Sequence, residues 1–315
     1  MKVFIQSCHA SLEYDQAVMF VSMGHKVAGS FDVGSKQRPK LEGITDVSYD
    51  VREAFPFVDM IVLHQCDNYS MVFKQYCDEM GKKPVVLNYF GQGCDEQHRH
   101  VASILTKSRN AYVVCYSKKE ERMFTELGVP KEKFRMIRFG KVLEEFREPG
   151  WTGRLPIAYM SCNSIERRGD GCGWPAAKKL IDSVGVPLLI SGRETESLPN
   201  GIGELDYEGI KALYRSARCF VSLGTKPAPM VLTQIEAMIT GCPVVVLDNG
   251  CGIVEEELPV FGCKTVEDVV HVVHQLCADV RAASAASLAH KERVEEEFSM
   301  VKVIERWKAF MEEMI

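Results

Sequence analysis

Side chains able to do chemistry gather at the carboxyl ends of short apolar runs. Ser7-Cys8-His9-Ala10-Ser11 follows Val3-Phe4-Ile5. An imidazole at His9 can donate to an oxyanion, and Ser11 suits the cap of a helix that starts at Leu12. His64 closes Met60-Ile61-Val62-Leu63 on the same edge. Gln92, Asp95 and His98 form a polar loop after Val85-Val86-Leu87 and are suited to contact a ligand. In the second half, Arg167-Arg168-Gly169-Asp170-Gly171-Cys172-Gly173 follows the apolar run Ile157 to Met160. A guanidinium at Arg168 can clamp a phosphate through two parallel hydrogen bonds, with Arg167 as its partner. The glycine-rich turn adds amides, although its spacing matches neither dinucleotide loop nor P-loop. Ser191-Gly192-Arg193, after Pro187 to Ile190, is a lesser candidate for the same pocket. His271 and His274 lie at i,i+3 spacing, a pattern read here as a solvated helix face and not a metal site.

The elements that must position these residues alternate in type. Strands read at Val3–Ile5, Met60–Leu63, Val85–Leu87 and Ala111–Cys115, with helices from Leu12 to Met23 and Tyr69 to Tyr76. FREPGWTGRLP, between Glu144 and Pro156, reads as a linker. Beyond it strands recur at Ile157–Met160, Pro187–Ile190, Cys219–Ser222 and Val244–Leu247. Helices fall at Ala176–Ser183, Tyr207–Ser216 and Leu232–Ile239, and the chain from Val266 to Ile315 is largely helical. Near-continuous apolar strands separated by helices describe parallel sheets covered on both faces. Two Rossmann-like halves follow, an α/β class, with ligands expected at the carboxyl ends of the strands.

Five segments, in register, resemble the retaining GT-B glycosyltransferases of family 4 (glycosyltransferase group 1). Met230 to Val246 looks like the family's C-terminal signature, a helix carrying Glu236 that ends at Gly241 before Pro243 opens a strand. Leu213 to Ser222 looks like the preceding helix and strand. Tyr116-Ser-Lys-Lys-Glu with Glu126 to Lys133 looks like the last strand and helix of the first domain. Met136 to Phe146 looks like the crossover between domains, and Phe298-Ser-Met with the Trp307 helix like the return. The resemblance implies two Rossmann-like domains with parallel sheets facing across a cleft. Their expected bounds are 1–148 for an acceptor domain, 149–298 for a nucleotide-sugar domain and 299–315 for a returning helix.

The resemblance also implies a reaction: hexosyl transfer from a nucleotide sugar, UDP-glucose or another UDP-sugar first, with retention at the anomeric carbon and no metal or other cofactor. Glu236 matches the second glutamate of the family's Glu-x7-Glu motif, which accepts from the donor ribose. Ala228 stands at the first, leaving Thr225 and Lys226 as the polar residues of the donor loop. Cys162-Asn163 replaces the family's Gly-Arg and Arg168-Gly169 its Lys-Gly, so Asn163, Arg168 and Gly192 are expected around the diphosphate. Phe90 occupies the position of the usual first-domain histidine. His9, His64, Gln92 and Asp95 are expected to meet the acceptor, with His9 and Arg168 carrying the catalysis. The opening Cys8 to Asp15, with Ser22-Met-Gly-His-Lys-Val27, looks similar to compact glycosyltransferases of tailed phages. Some of these glycosylate hydroxymethylated pyrimidines in DNA, and Lys36, Arg38 and Lys40 form a small basic loop able to touch backbone phosphate. A glycan, lipid or small hydroxyl compound is the alternative acceptor. A catalytically weakened nucleotide-sugar-binding module and a GT-B sugar-nucleotide epimerase are the alternative functions.

Composition sets bounds on all of this. The 315 residues are 46% hydrophobic and 26% charged, an ordinary globular balance that excludes disordered, collagen-like and coiled-coil chains. The first 150 residues carry 21 basic and 20 acidic side chains, the remainder 17 and 23, so neither half is a strongly basic nucleic-acid grip. Twelve cysteines without any Cys-x-x-Cys, several of them (Cys8, Cys66, Cys115, Cys219) in or beside apolar runs, read as packing residues in a reducing compartment. No apolar run approaches the ~20 residues of a membrane helix. The expectation is a cytoplasmic protein without a membrane span, in the host cytoplasm if phage-encoded.

Overall fold

A computed structural model describes residues 1–6, 10–29, 44–46, 51–64, 69–90, 95–183, 185–224, 231–247, 258 and 260–314. Among these residues the chain divides into two compact units, Met1–Val142 with Phe298–Ile315, and Leu143–Glu297.

The first unit is built on a parallel sheet. Its strands are β1 (Lys2–Gln6), β2 (Lys26–Gly29), β3 (Ile44–Asp46), β4 (Met60–His64), β5 (Val85–Tyr89), β6 (Ala111–Cys115) and β7 (Phe134–Met136), in the order β3-β2-β1-β4-β5-β6-β7. Every residue of β4, β5 and β6 is buried, as continuous apolar strands covered on both faces must be. Their order reverses direction at β1 and β4, which share the register Val3↔Met60 to Gln6↔Leu63. The helix Lys118–Glu126 starts on a capping box in which Ser117 accepts from the Glu120 amide and Glu120 accepts from the Ser117 amide. The returning helix Met300–Met314 buries Trp307 edge-on to Phe20, with ring centroids 5.3 Å apart.

The second unit repeats the plan with β8 (Leu155–Ser161), β9 (Leu188–Ser191), β10 (Gly201–Gly203), β11 (Ala217–Ser222), β12 (Val244–Leu247) and β13 (Phe261–Cys263). Their order is β10-β9-β8-β11-β12-β13, again parallel, with the reversal between β8 and β11. Helix Leu232–Thr240 is almost wholly buried and stops at Gly241, whose φ of +92° is costly for any residue with a Cβ. Asp206 and Thr265 cap the helices Tyr207–Ser216 and Val266–Ala278.

Two sequence expectations change. Asp95 and His98 belong to the helix Asp95–Lys107, not to a loop; its buried Val101, Ala102, Ile104 and Leu105 supply a helical stripe that the polar start conceals. The segment 144–156 is not a free linker. It forms the turn Glu144–Arg147 and then docks on the second unit, where the Trp151 indole donates to the Ala217 carbonyl at 2.8 Å and the Thr152 amide to that of Arg215 at 2.8 Å. No helix among the described residues is long and apolar enough to cross a membrane. Eight cysteines are described, all free, and all but Cys162 are buried, including Cys115 and Cys219; Cys8 and Cys66 lie outside the described residues.

Candidate functional site

In a doubly wound sheet the loops leaving adjacent strands diverge where the strand order reverses, and the crevice left at their carboxyl ends is a natural ligand site. Each unit has a pocket at that place.

In the second unit a pocket of about 280 Å³ opens at the ends of β8 and β11, lined by Ser161, Cys162, Cys172, Ser222, Gly224 and Thr233 among others. Its lining is uncharged and mixed, with Met160, Ile165, Val221, Leu223 and Val231 standing among these polar groups. Ser222 Oγ accepts from Gln234 Nε2 at 2.6 Å and from the Gly224 amide at 3.4 Å. The Tyr159 hydroxyl bonds Ser191 Oγ at 2.5 Å. Glu236 is buried on the Leu232–Thr240 helix. Burial raises the Tyr159 and Tyr214 phenols, and the negative charge of Glu236 adds to both shifts.

The loops after β8 and β9 are tied together. The Cys162 amide donates to Ser191 O at 2.9 Å, Ser164 N to Arg193 O at 2.7 Å, and Arg193 N to Asn163 Oδ1 at 3.0 Å. Gly192, at φ +135°, lies so close to this loop that a Cβ would meet the Cys162 carbonyl oxygen at 2.4 Å, so only glycine fits. Asn163 therefore braces the loop through its side chain, and Gly192 serves by close approach. Arg167, expected beside Arg168 on phosphate, is occupied elsewhere: it pairs with Glu194 through Nε at 3.0 Å and Nη2 at 3.2 Å, and Nη2 also reaches Ser164 Oγ. Arg168 is exposed at the end of the short helix Ile165–Arg168 and makes no ion pair among the described residues. It is close enough to Cys162 to favour the thiolate, yet burial and then Cys172 push that thiol up to about 12.

In the first unit a pocket of about 290 Å³ lies at the corresponding edge, lined by Asp15, Gln16, His64, Tyr116, Arg138 and Trp307 among others. Buried ionised groups surround it. Lys141, fully buried, meets Asp15 at 2.6 Å, and Arg138 donates to the Tyr116 carbonyl. His64 is 1% exposed and bonds Gln16. Asp95 is exposed in the first turn of its helix, and His98 bonds the Tyr89 hydroxyl. Burial holds His98 below its ordinary value; Asp95 opposes that shift and Lys119 reinforces it.

His9, Gln92, Thr225, Lys226, Ala228 and the basic loop Lys36, Arg38 and Lys40 lie outside the described residues. His271 and His274 are exposed. No group of three or more His, Cys, Asp or Glu among the described residues is arranged to hold a metal ion. Sequence reading missed Ser222, Gln234, Gln16 and Asn88. Gln234 and Asn88 stand inside buried elements, where only their polarity among apolar neighbours marks them.

No protein-family model and no curated protein matches the chain. Solved structures do. HepE of Anabaena, in complex with UDP-glucose, superposes with a TM-score of 0.73 at 13% identity over 99% of each chain. Sucrose-phosphate synthase of Thermosynechococcus elongatus gives 0.72 at 14%, over 100% of this chain and 99% of the other. An alpha-glucosyltransferase in complex with UDP and a 13-mer DNA containing an HMU base gives 0.66 at 10% over 98% of each. The chain has the α/β fold of these GT-B enzymes.

Proposed function

We propose that the protein is a glycosyltransferase that moves a sugar from a UDP-sugar to an acceptor hydroxyl. The observation that carries this reading is the uncharged pocket at the strand reversal of the second unit, with Arg168 on the same short helix as its lining residue Ile165 and Glu236 on the same helix as its lining residue Thr233, in a fold whose solved relatives include complexes with UDP-glucose and UDP. Glu236 is assigned to the donor ribose, because a carboxylate accepts from two hydroxyls at once. Arg168 is assigned to the diphosphate: an exposed guanidinium without an ion-pair partner among the described residues neutralises phosphate without first breaking a bond. Thr225 and Lys226 complete the donor loop.

The family resemblance supports retention of anomeric configuration and a reaction without metal. In that mechanism the diphosphate leaves, positive charge grows at the anomeric carbon, and the acceptor hydroxyl attacks from the same face while a departing phosphate oxygen takes its proton. The protein then contributes positioning and stabilisation of the leaving group through Arg168. The first unit, with His9, His64, Gln92 and Asp95, is assigned to the acceptor. A hydroxymethylated pyrimidine in DNA is the acceptor proposed, supported by the likeness of the opening residues to compact phage enzymes and by the fold shared with the DNA-bound alpha-glucosyltransferase.

A turnover screen tests this directly. UDP-glucose and other nucleotide sugars are incubated with the protein, with and without hydroxymethylated DNA, and nucleoside diphosphate release is followed. DNA-dependent release of UDP is expected. Release indifferent to DNA moves the acceptor to a glycan or small molecule, and binding without release leaves a nucleotide-sugar-binding module.

A further inference from the structure

A pair of thiols in the second unit lines neither pocket and lies where the helix Val266–Ala278 ends against β11. Cys219, the third residue of β11, is fully buried, and Cys277, next to last in the helix, is 7% exposed. Both belong to the core of the second unit, and their thiols are hydrogen-bonded to each other. The neighbour of Cys219 fixes the two segments together. Arg218 Nη1 donates to the carbonyls of Leu276 at 3.3 Å and Cys277 at 3.1 Å, and its Nε donates to the Gly153 carbonyl at 2.7 Å. Just beyond Cys277 the cover ends: Ala278, Asp279 and Val280 are exposed at the break before the helix Val280–Phe298.

We propose that Cys277 and Cys219 are a thiol-oxidation site, which a low-molecular-weight disulfide closes into a reversible bridge stapling the helix end to β11. The two sulfurs have distinct parts. Cys219 gives its hydrogen to Cys277, and that bond together with burial holds the Cys219 thiol well above its ordinary value. Cys277 receives that hydrogen and is lowered; the Arg218 charge adds to the shift and burial opposes it. A sulfur that ionises readily, at the edge of the cover and beside a protonated partner, is suited to attack, and the partner to resolve. The Cys277 thiolate attacks one sulfur of the reagent, whose S–S bond breaks; one thiolate leaves and a mixed disulfide forms on Cys277. Cys219 then yields its proton to the departed thiolate and attacks the Cys277 sulfur, and the second reagent thiol leaves. Two protein thiols are oxidised and one disulfide is reduced to two thiols. The bridge encloses the chain that carries Ser222, Gly224, Thr233 and Glu236. At the second unit's pocket the order differs: burial and then Cys172 push Cys162, the more exposed of those two, up to about 12, so the sulfur nearer solvent keeps its proton.

Reduced wild-type protein treated with 2-hydroxyethyl disulfide at pH 8, then digested without reduction and mapped by mass spectrometry, tests this. A Cys219–Cys277 bridge that dithiothreitol reopens is expected, and the bridged protein should melt several degrees higher than the reduced one, because the cross-link restricts the unfolded chain. Cys277→Ser should abolish both the bridge and the melting shift, whereas Cys162→Ser should keep both. In Cys219→Ser a hydroxyl still donates to the Cys277 sulfur but cannot resolve it, so the hydroxyethyl adduct should accumulate on Cys277; a Cys277 left unmodified there removes it as the attacking thiol. The proposal is overturned if both thiols survive the reagent in the wild type, if either is bridged to a different cysteine, or if the bridged protein melts lower.

Discussion

The two pockets sit at equivalent places in their sheets and are made of opposite materials. That of the second unit is lined by hydroxyls, thiols and apolar side chains, with Arg168 exposed beyond it and Glu236 buried on the helix Leu232–Thr240. That of the first unit has Asp15, Lys141 and Arg138 buried around it, 4%, 0% and 1% exposed. An ionised group taken fully out of water has to be compensated by the protein itself, whereas an exposed one needs no such partner. On this contrast we propose that the exposed Arg168 binds and that the buried Asp15–Lys141 pair holds the fold.

The sharpest way to break that distinction is at Asp15. Asp15→Ala leaves Lys141 buried without its 2.6 Å partner and should cost about 3–5 kcal/mol in chemical denaturation. The double variant Asp15→Leu with Lys141→Met should recover most of that loss. If the single variant is as stable as the wild type, the pair is not structural. Glu236→Ala comes next, weakening UDP-glucose binding by about 1–3 kcal/mol in titration calorimetry, the range for a lost hydrogen bond to a charged group. Undiminished affinity would remove Glu236 from the donor site. At Cys162, a thiol pushed up to about 12 remains protonated at pH 8, so iodoacetamide should label it far more slowly than an ordinary thiol of pKa 9.0. Labelling at the ordinary rate would show that the thiol is not held protonated in solution. The smallest effect belongs to Arg167→Ala. Arg167 is 71% exposed and already paired with Glu194, so UDP-glucose affinity should stay within error of wild type. A marked loss would make Arg167 a second diphosphate cation.

Much of the fold was legible because buried parallel strands leave an unmixed signal: Ala111–Cys115 and Val244–Leu247 are found where their apolar runs place them. Edge strands of three residues, such as Ile44–Asp46 and Gly201–Gly203, carry too few side chains to register. The helix Asp95–Lys107 opens with DEQHRH, a run whose polarity reads as a loop until the buried Val101 and Leu105 show which face is covered. The stretch around Trp151 failed in the same manner: proline and glycine suggest a linker, whereas the indole hydrogen bond across 66 positions to Ala217 is invisible to local composition. Arg168 and Glu236 were singled out as candidates by motif position. The pairing of Arg167 with Glu194 and of Gln16 with Asn88 was not readable, because each depends on a contact, 27 and 72 positions apart.

The central claim, that Arg168 meets a donor diphosphate at the second unit's pocket, is tested most directly by calorimetric titration of UDP-glucose and of uridine into the wild type and Arg168→Ala. The account predicts that the wild type binds both, and that the variant loses most of its UDP-glucose affinity while its uridine affinity is kept. Equal losses for the two ligands, or a wild type that binds neither, would contradict it.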